Sequence, residues 1–255
     1  MAGAARRSSS AARPHGRHFL RSRRLAEGLV AVAGIGAGDL VLDLGAGAGA
    51  LTRELARRAG RVWAVELDSE LAADLRRRFA GTNVSVVHAD ATRLRWPDEP
   101  FKVVANVPFD RTTAILRGLL DDPSVPLVAA ELVVQWELAL KRTTVWPSTL
   151  TGVCWGAWYR FGLVRRLPPC AFTPEPSVAA GVLRIVRRDE PLVAERDSLA
   201  FRAFVKRGFA AGRPAVPPLL FKRLGRQLGF APNARARDLD SAQWATLFRS
   251  VRQTL

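Results

Sequence analysis

Between residues 39 and 50 the chain passes from a Leu/Val-rich run, Asp39 to Leu44, through Gly45-Ala46-Gly47-Ala48-Gly49 into a stretch of helical periodicity. Three glycines in five residues permit a tight turn and a close backbone approach to a ligand. The helix that follows points its positive N-terminal end at whatever lies in the turn. The loop therefore predicts a site for a nucleotide-like cofactor, and Asp43, Gly45 and Gly47 are its candidate contacts. Gly45-x-Gly47 with Ala50 also satisfies a relaxed dinucleotide fingerprint, so the motif alone admits NAD, S-adenosylmethionine or a purely structural turn.

The same alternation of apolar run and Arg/Glu-rich helical stretch recurs downstream. It predicts strands at 39–44, 61–66, 84–88, 101–106 and 126–134. Helices are predicted at 50–59, 68–80 and 112–121, with Asp68 as an N-cap ahead of Leu71, Leu75 and Phe79. Such a pattern specifies an α/β fold with a doubly wound, mostly parallel, Rossmann-like sheet. After Gln135 we expect a helix to about Arg142 and an irregular Trp-Pro segment. Two aromatic or β-branched runs follow at 152–160 and 178–187, read as antiparallel strands closing the sheet on either side of Pro168, Pro169, Pro174 and Pro176. The last 65 residues read as helices broken at Gly208, Gly212 and the Pro214/Pro217/Pro218 cluster. The expected organisation is a basic disordered arm (1–15), a Rossmann-like domain (16–190) and a small basic helical domain (191–255).

Charge bears on the partner. The 255 residues carry 39 Lys+Arg against 23 Asp+Glu, a net charge of +16, and only four of the cations are lysines (Lys102, Lys141, Lys206, Lys222). Arginine's planar fork grips phosphate bidentately, which favours a nucleic acid over a generic acidic protein. The charge is also uneven: residues 1–24 carry +7, residues 25–190 carry +1 and residues 191–255 carry +8. Residues 198–237 hold nine Lys/Arg and no acid, and residues 138–174 hold five and none, with Trp146, Trp155, Trp158, Tyr159 and Phe161 interleaved. Those aromatics either stack on unpaired bases or fill the sheet core. Within these stretches Lys141, Arg142, Arg165, Arg166, Lys206 and Arg207 are the candidate RNA contacts.

Other classes are excluded. The longest apolar runs are too short to cross a bilayer, so a soluble, cytoplasmic protein is expected. Cys154, Cys170, His15, His18 and His88 fall in no metal-ligand spacing, and neither a structural metal nor a disulfide framework is expected. The Ser/Ala/Arg-rich start lacks the apolar segment of a secretory signal; a transit peptide has a similar composition, but a basic arm is the preferred reading. A monomer is expected.

Two carboxylates extend the cofactor reading. Val62-Trp63-Ala64-Val65-Glu66 is a strand ending in an acid, placed where it can accept both hydroxyls of a ribose. One strand further, Asp90 in His88-Ala89-Asp90-Ala91 sits where it can accept a hydrogen bond from an adenine amine. Leu67 and Ala91 flank them as further cofactor contacts. Asn106-Val107-Pro108-Phe109 then ends the strand at 101–106. The motif resembles that of enzymes that methylate an exocyclic amine, and the resemblance implies that Asn106 and the Val107 carbonyl supply two acceptors for that amine, that Pro108 fixes the turn that aims them, and that Phe109 supplies a stacking face for a base taken out of its helix. An exocyclic amine is a weak nucleophile, so orienting it is the main catalytic need and no strong base is required.

In this order, the glycine loop, Glu66, Asp90 and Asn-Val-Pro-Phe resemble the rRNA adenine N6-methyltransferases, which comprise the Erm resistance enzymes and the KsgA-type dimethylases. Gly16-Arg17-His18-Phe19-Leu20 is similar to that family's N-terminal Gly/Ser-Gln-Asn-Phe-Leu segment, with Arg17 and His18 in place of Gln-Asn. The resemblance implies His18 and Leu20 beside the cofactor. Gln135-Trp136-Glu137-Leu138-Ala139-Leu140-Lys141-Arg142 and Phe172-Thr173-Pro174-Glu175-Pro176-Ser177-Val178 match two further segments, the latter implying Phe172 as a second aromatic against the base. Asp110-Arg111-Thr112-Thr113, the short basic C-terminal region and the Trp146-Pro147-Ser148 insert look more like the actinobacterial Erm branch.

The resemblance implies S-adenosylmethionine as cofactor and Asn106 at both cofactor and amine. It also implies methylation of one adenine in the peptidyl-transferase loop of bacterial 23S rRNA, before ribosome assembly is complete, and resistance to macrolides, lincosamides and streptogramin B. A KsgA-type enzyme acting on 16S rRNA, an NAD-dependent oxidoreductase and a non-enzymatic RNA-binding factor are the alternatives. Nothing after residue 110 supplies an evident hydride-transfer acid for the oxidoreductase.

Overall fold

A computed structural model of the chain describes residues 18–252; the expected basic arm at 1–15, with Gly16 and Arg17, lies outside the described residues. A two-stranded ribbon pairs β1 (Phe19–Leu20) with β8 (Phe172–Thr173). The central sheet comprises β2 (Leu40–Leu44), β3 (Arg61–Glu66), β4 (Val84–His88), β5 (Phe101–Asn106), β6 (Leu127–Gln135), β7 (Tyr159–Leu167) and β9 (Ala180–Arg187). Their order is β4-β3-β2-β5-β6-β9-β7. The first five are mutually parallel, and β9 is antiparallel to both neighbours. Chain order reverses between β2 and β5, which opens a crevice at the carboxyl ends of those strands.

Period-two alternation sorts each strand's side chains to two cores. In β5, Val104 faces the layer of α1 (Arg23–Val32) and α2 (Ala50–Ala56), while Val103 and Ala105 face that of α4 (Thr112–Leu120) and α6 (Leu150–Gly156). Asp68 caps α3 (Ser69–Arg78) as expected, accepting from the Glu70 and Leu71 N–H groups. Helix α1 went unforeseen; its signals are the Ser22 cap and buried Ala26, Leu29 and Val30.

The run at 152–160, expected as a strand, is a correction. Residues 150–156 form α6, and β7 begins only at Tyr159. Thr149 caps α6 by accepting from the Gly152 N–H, and Val153, Cys154 and Trp155 are all buried. A segment enclosed on every side carries no amphipathic period, so its sequence does not distinguish helix from strand. Small residues let it be enclosed: a Cβ on Gly156 would lie 2.1 Å from Ser241 Oγ. Trp155, Trp158 and Tyr159 are therefore core residues and not stacking platforms.

Beyond β9 come α7 (Ser198–Ala210), α8 (Pro218–Leu228) and α9 (Ser241–Arg252). Phe201, Phe204, Trp244 and Phe248 in α7 and α9 belong to the same core as Trp155, Trp158 and the sheet. The C-terminal helices thus add a lobe to one continuous interior. Helix α5 (Trp136–Thr143) and the insert link the lobe to the sheet: Trp146 Nε1 donates to the Asp238 carbonyl, and Ser148 N donates to that of Arg237. No helix among the described residues is long and apolar enough to cross a membrane.

Candidate active site

A cavity at the carboxyl ends of β2, β3, β4 and β5 gathers His18, Gly45, Gly47, Glu66, Leu67, Asp90, Ala91, Asn106, Val107, Pro108 and Phe109, all expected from sequence. Gly45, Gly47 and Gly49 have φ of +77°, +54° and +74°. A Cβ on Gly45 would sit 3.2 Å from the Pro108 ring, and one on Gly47 would sit 2.7 Å from Phe19 Cε1. The loop is thus pinched between the Asn-Val-Pro-Phe turn and β1, and both steric room and backbone handedness demand glycine there.

Glu66 is buried, and its carboxylate organises the loop. Oε2 accepts from the Gly47 N–H at 2.7 Å and Oε1 from the Asp68 N–H at 2.9 Å. A carboxylate has about four acceptor sites, and this one lines the cavity where a vicinal diol would bind. Asp90 Oδ1 accepts from both the Thr92 hydroxyl, at 2.7 Å, and the Thr92 N–H, at 2.8 Å. Those bonds, with Arg111 and Arg93 nearby, hold its carboxyl below the ordinary Asp value. Thr92 lines the cavity as well and was not singled out from sequence, although the Asp-x-Thr spacing is its signal; Arg111, read above only as part of a branch-specific segment, lines it too.

Asp43 does not reach the cavity wall. It is 1 % exposed and accepts from the Thr52 hydroxyl at 2.6 Å, one layer behind the glycine loop. Burial pushes its carboxyl up to about 7, against the Thr52 hydrogen bonds and with a contribution from the charge of Glu66. Leu20 likewise lies off the wall, within the α1 and α2 core; its neighbours His18 and Phe19 line the cavity.

At the end of β5, Asn106 Nδ2 donates to the His18 carbonyl at 2.6 Å. A carbonyl only accepts, so this bond fixes the amide's orientation and leaves Oδ1 as its acceptor. His18 is itself anchored: Nδ1–H donates to the Pro174 carbonyl at 2.8 Å, and its ring lies 5.5 Å from that of Phe109. Phe172 meets Phe109 edge-on at 6.4 Å and is completely buried. In this structure Phe172 supports Phe109 from behind and does not face the cavity.

The six candidate RNA contacts are dispersed. Lys141, Arg165, Arg166, Lys206 and Arg207 are exposed. The Arg166 guanidinium lies 5.0 Å from the Trp136 ring, and that of half-buried Arg142 lies 4.7 Å from Trp155. Among the described residues no group of three or more His, Cys, Asp or Glu is arranged to hold a metal ion.

Residues 9–252 match the family model described as ribosomal RNA adenine dimethylase. The chain is 37% identical over 247 residues to the mycinamicin-resistance protein MyrB of Micromonospora griseorubida, covering 93% of this chain and 78% of that protein. It is 36% identical over 206 residues to an rRNA adenine N-6-methyltransferase of Corynebacterium diphtheriae, covering 81% and 80%. The solved structure of the 23S rRNA methyltransferase ErmE superposes with a TM-score of 0.80 at 30% identity, covering 92% of this chain and all of that one.

Proposed function

Because the chain belongs to the ribosomal RNA adenine dimethylase family, we propose that it transfers a methyl group from S-adenosylmethionine to N6 of one adenine in the peptidyl-transferase loop of bacterial 23S rRNA. The modification confers macrolide, lincosamide and streptogramin B resistance. The likeness to MyrB and ErmE supports this target over the small-subunit rRNA. The observation that carries the chemistry is the pinned amide of Asn106 beside Phe109, in the same cavity as the glycine loop, Glu66 and Asp90.

The residues present fit the cofactor. Glu66 would hold the ribose hydroxyls and Asp90 the adenine amine, with Leu67, Leu71 and Ala91 as apolar wall and the side-chain-free face of Gly45 and Gly47 beside them. The cofactor's sulfonium supplies an electrophilic methyl group. Asn106 Oδ1 and the Val107 carbonyl accept the two N6 hydrogens of the target, which orients the nitrogen lone pair and favours a tetrahedral nitrogen. Phe109 stacks on the extruded base. Val107 is buried, so its carbonyl acts where water competes little. Exposed Arg165, Arg166, Lys206 and Arg207 supply charge for phosphate contacts.

The test incubates the protein with tritiated S-adenosylmethionine and unmodified 23S and 16S rRNA and maps the labelled nucleotide, with Asn106→Ala in parallel. Label on one adenine of the 23S peptidyl-transferase loop, lost in the variant, is the expected result. Label on 16S rRNA would assign the small-subunit reaction instead. Tight RNA binding without label would make the protein a non-enzymatic factor.

A further inference from the structure

Methyl transfer leaves a proton to be removed, and none of the residues assigned above removes it. As the N6 lone pair forms the N–C bond, the C–S bond breaks with its electron pair staying on sulfur, and the nitrogen is left with four bonds and a positive charge. One N–H bond must then break, its electrons returning to nitrogen. Asn106 Oδ1 and the Val107 carbonyl hold those hydrogens, but amide oxygens accept hydrogen bonds and do not take up a proton near neutral pH. Val107 is buried, so bulk water is a poor recipient as well.

Among the described residues, five titratable or charged side chains line the cavity: His18, Glu66, Asp90, Asp110 and Arg111. Four of them are engaged. Glu66 accepts from the Gly47 and Asp68 N–H groups and faces the ribose site, Asp90 accepts twice from Thr92, and Asp110 lies 3.4 Å from the Arg111 guanidinium. Just past the strands of the ribbon, Arg21 pairs with Glu175, also at 3.4 Å. His18 differs, because only one end of its ring is used. A carbonyl only accepts, so the 2.8 Å bond to Pro174 puts a hydrogen on Nδ1. In the neutral ring the lone pair is then on Nε2, for which the described residues supply no partner.

The ring is also close to the chemistry. The His18 carbonyl accepts from Asn106 Nδ2 at 2.6 Å, and the imidazole lies 5.5 Å from the Phe109 ring. It thus borders both groups that would hold the target base, the amide and the aromatic face. On the reading of the protein as an adenine N6-methyltransferase, we propose that His18 Nε2 takes the proton released from N6 once the methyl group has arrived. The imidazolium so formed keeps its Nδ1–H bond to Pro174 and returns the Nε2 proton to solvent when the product leaves. A cationic amine on a purine gives up its proton readily, so a weak base suffices. The residue just ahead of β1 then serves the reaction twice: its backbone orients Asn106, and its side chain clears the proton.

The test has two parts. Nitrogen NMR of protein carrying isotope-labelled histidine reads which ring nitrogen bears the hydrogen, the His18 signals being those lost in His18→Asn. The Nδ1–H form is expected, and an Nε2–H form would overturn the proposal whatever the activity. Kinetics then compare wild type, His18→Asn and His18→Ala at saturating RNA and S-adenosylmethionine across about pH 5–8, the span in which histidine exchanges protons. Each variant keeps the carbonyl that holds Asn106, and Asn also keeps a donor for Pro174. We expect the wild-type kcat to fall on the acid side, and both variants to lose that acid limb together with at least about tenfold in kcat at neutral pH. Added imidazole should restore activity several-fold in His18→Ala and leave His18→Asn, where the space is filled, unchanged. A merely structural residue would show neither the lost limb nor the rescue. An unchanged kcat and pH profile in the variants, or a loss confined to KM, would overturn the proposal with the methyltransferase reading intact. A wild-type protein that methylates neither 23S nor 16S rRNA would overturn that reading, and the proposal with it.

Discussion

Glu66 has two jobs that a single substitution separates. Its oxygens accept from the Gly47 and Asp68 N–H groups at 2.7 and 2.9 Å, and they line the cavity where the ribose diol would sit. In Glu66→Gln one oxygen becomes an NH₂, which faces a backbone donor and forms no bond with it. Hydrogen bonds to a charged group are worth about 1.5–3 kcal/mol, and leaving a buried N–H unsatisfied costs about as much. Because the backbone bonds exist with or without cofactor, their loss falls on stability: at about 2–4 °C per kcal/mol for a chain of this size, Tm should drop by about 3–12 °C. Loss of the charged acceptor for one ribose hydroxyl falls on affinity instead. Another 1.5–3 kcal/mol there weakens cofactor binding by about 10- to 150-fold. Equilibrium dialysis with labelled S-adenosylmethionine gives Kd and thermal unfolding gives Tm. A Kd within about threefold of wild type, with Tm unchanged, would refute both assignments.

Four further outcomes follow from the geometry. Asn106→Asp sets an oxygen against the His18 carbonyl now 2.6 Å from Nδ2; kcat should fall by about 10²-fold or more with smaller changes in KM, as steady-state kinetics would show. Gly47→Ala meets the Phe19 ring and a φ of +54°, and should cost about 1–3 kcal/mol in denaturant unfolding. Asp43 binds its proton more tightly folded, near 7, than unfolded, near 3.8. Its contribution to stability is full below the unfolded value and is lost as pH rises towards 7, by about 4 kcal/mol; Asp43→Asn keeps an acceptor for Thr52 and should flatten that slope in urea titrations across pH 4–7. RNA binding should weaken linearly in log–log salt plots, by about 0.7 per phosphate neutralised on single-stranded segments, and a flat response would contradict the charge argument.

Local chemistry accounts for what was readable in advance. The glycine loop, the acids ending β3 and β4 and the Asn-Val-Pro-Phe turn each carry their meaning within a few residues, because turn handedness and strand ends are local properties. Their convergence at the carboxyl ends of β2 to β5 follows from the strand–helix alternation, which permits a parallel sheet with few other connections. Residues 152–160 escaped that reading because a segment buried on all sides keeps no period.

Long-range contacts decided the rest. Phe19 lies against Gly47 only because β1 pairs with β8 across more than 150 residues. That same ribbon and the His18–Pro174 bond place the carbonyl that orients Asn106. Phe172 moved from the base to the back of Phe109, and Asp43 from the cofactor to the loop's foundation, because burial depends on what packs behind a residue and not on its neighbours in sequence. Lys141, Arg160 and Arg188 show the same limit for charge: the composition determines that this chain is a polycation, and only the packing of α5 against β7 and β9 determines that those three side chains line one groove.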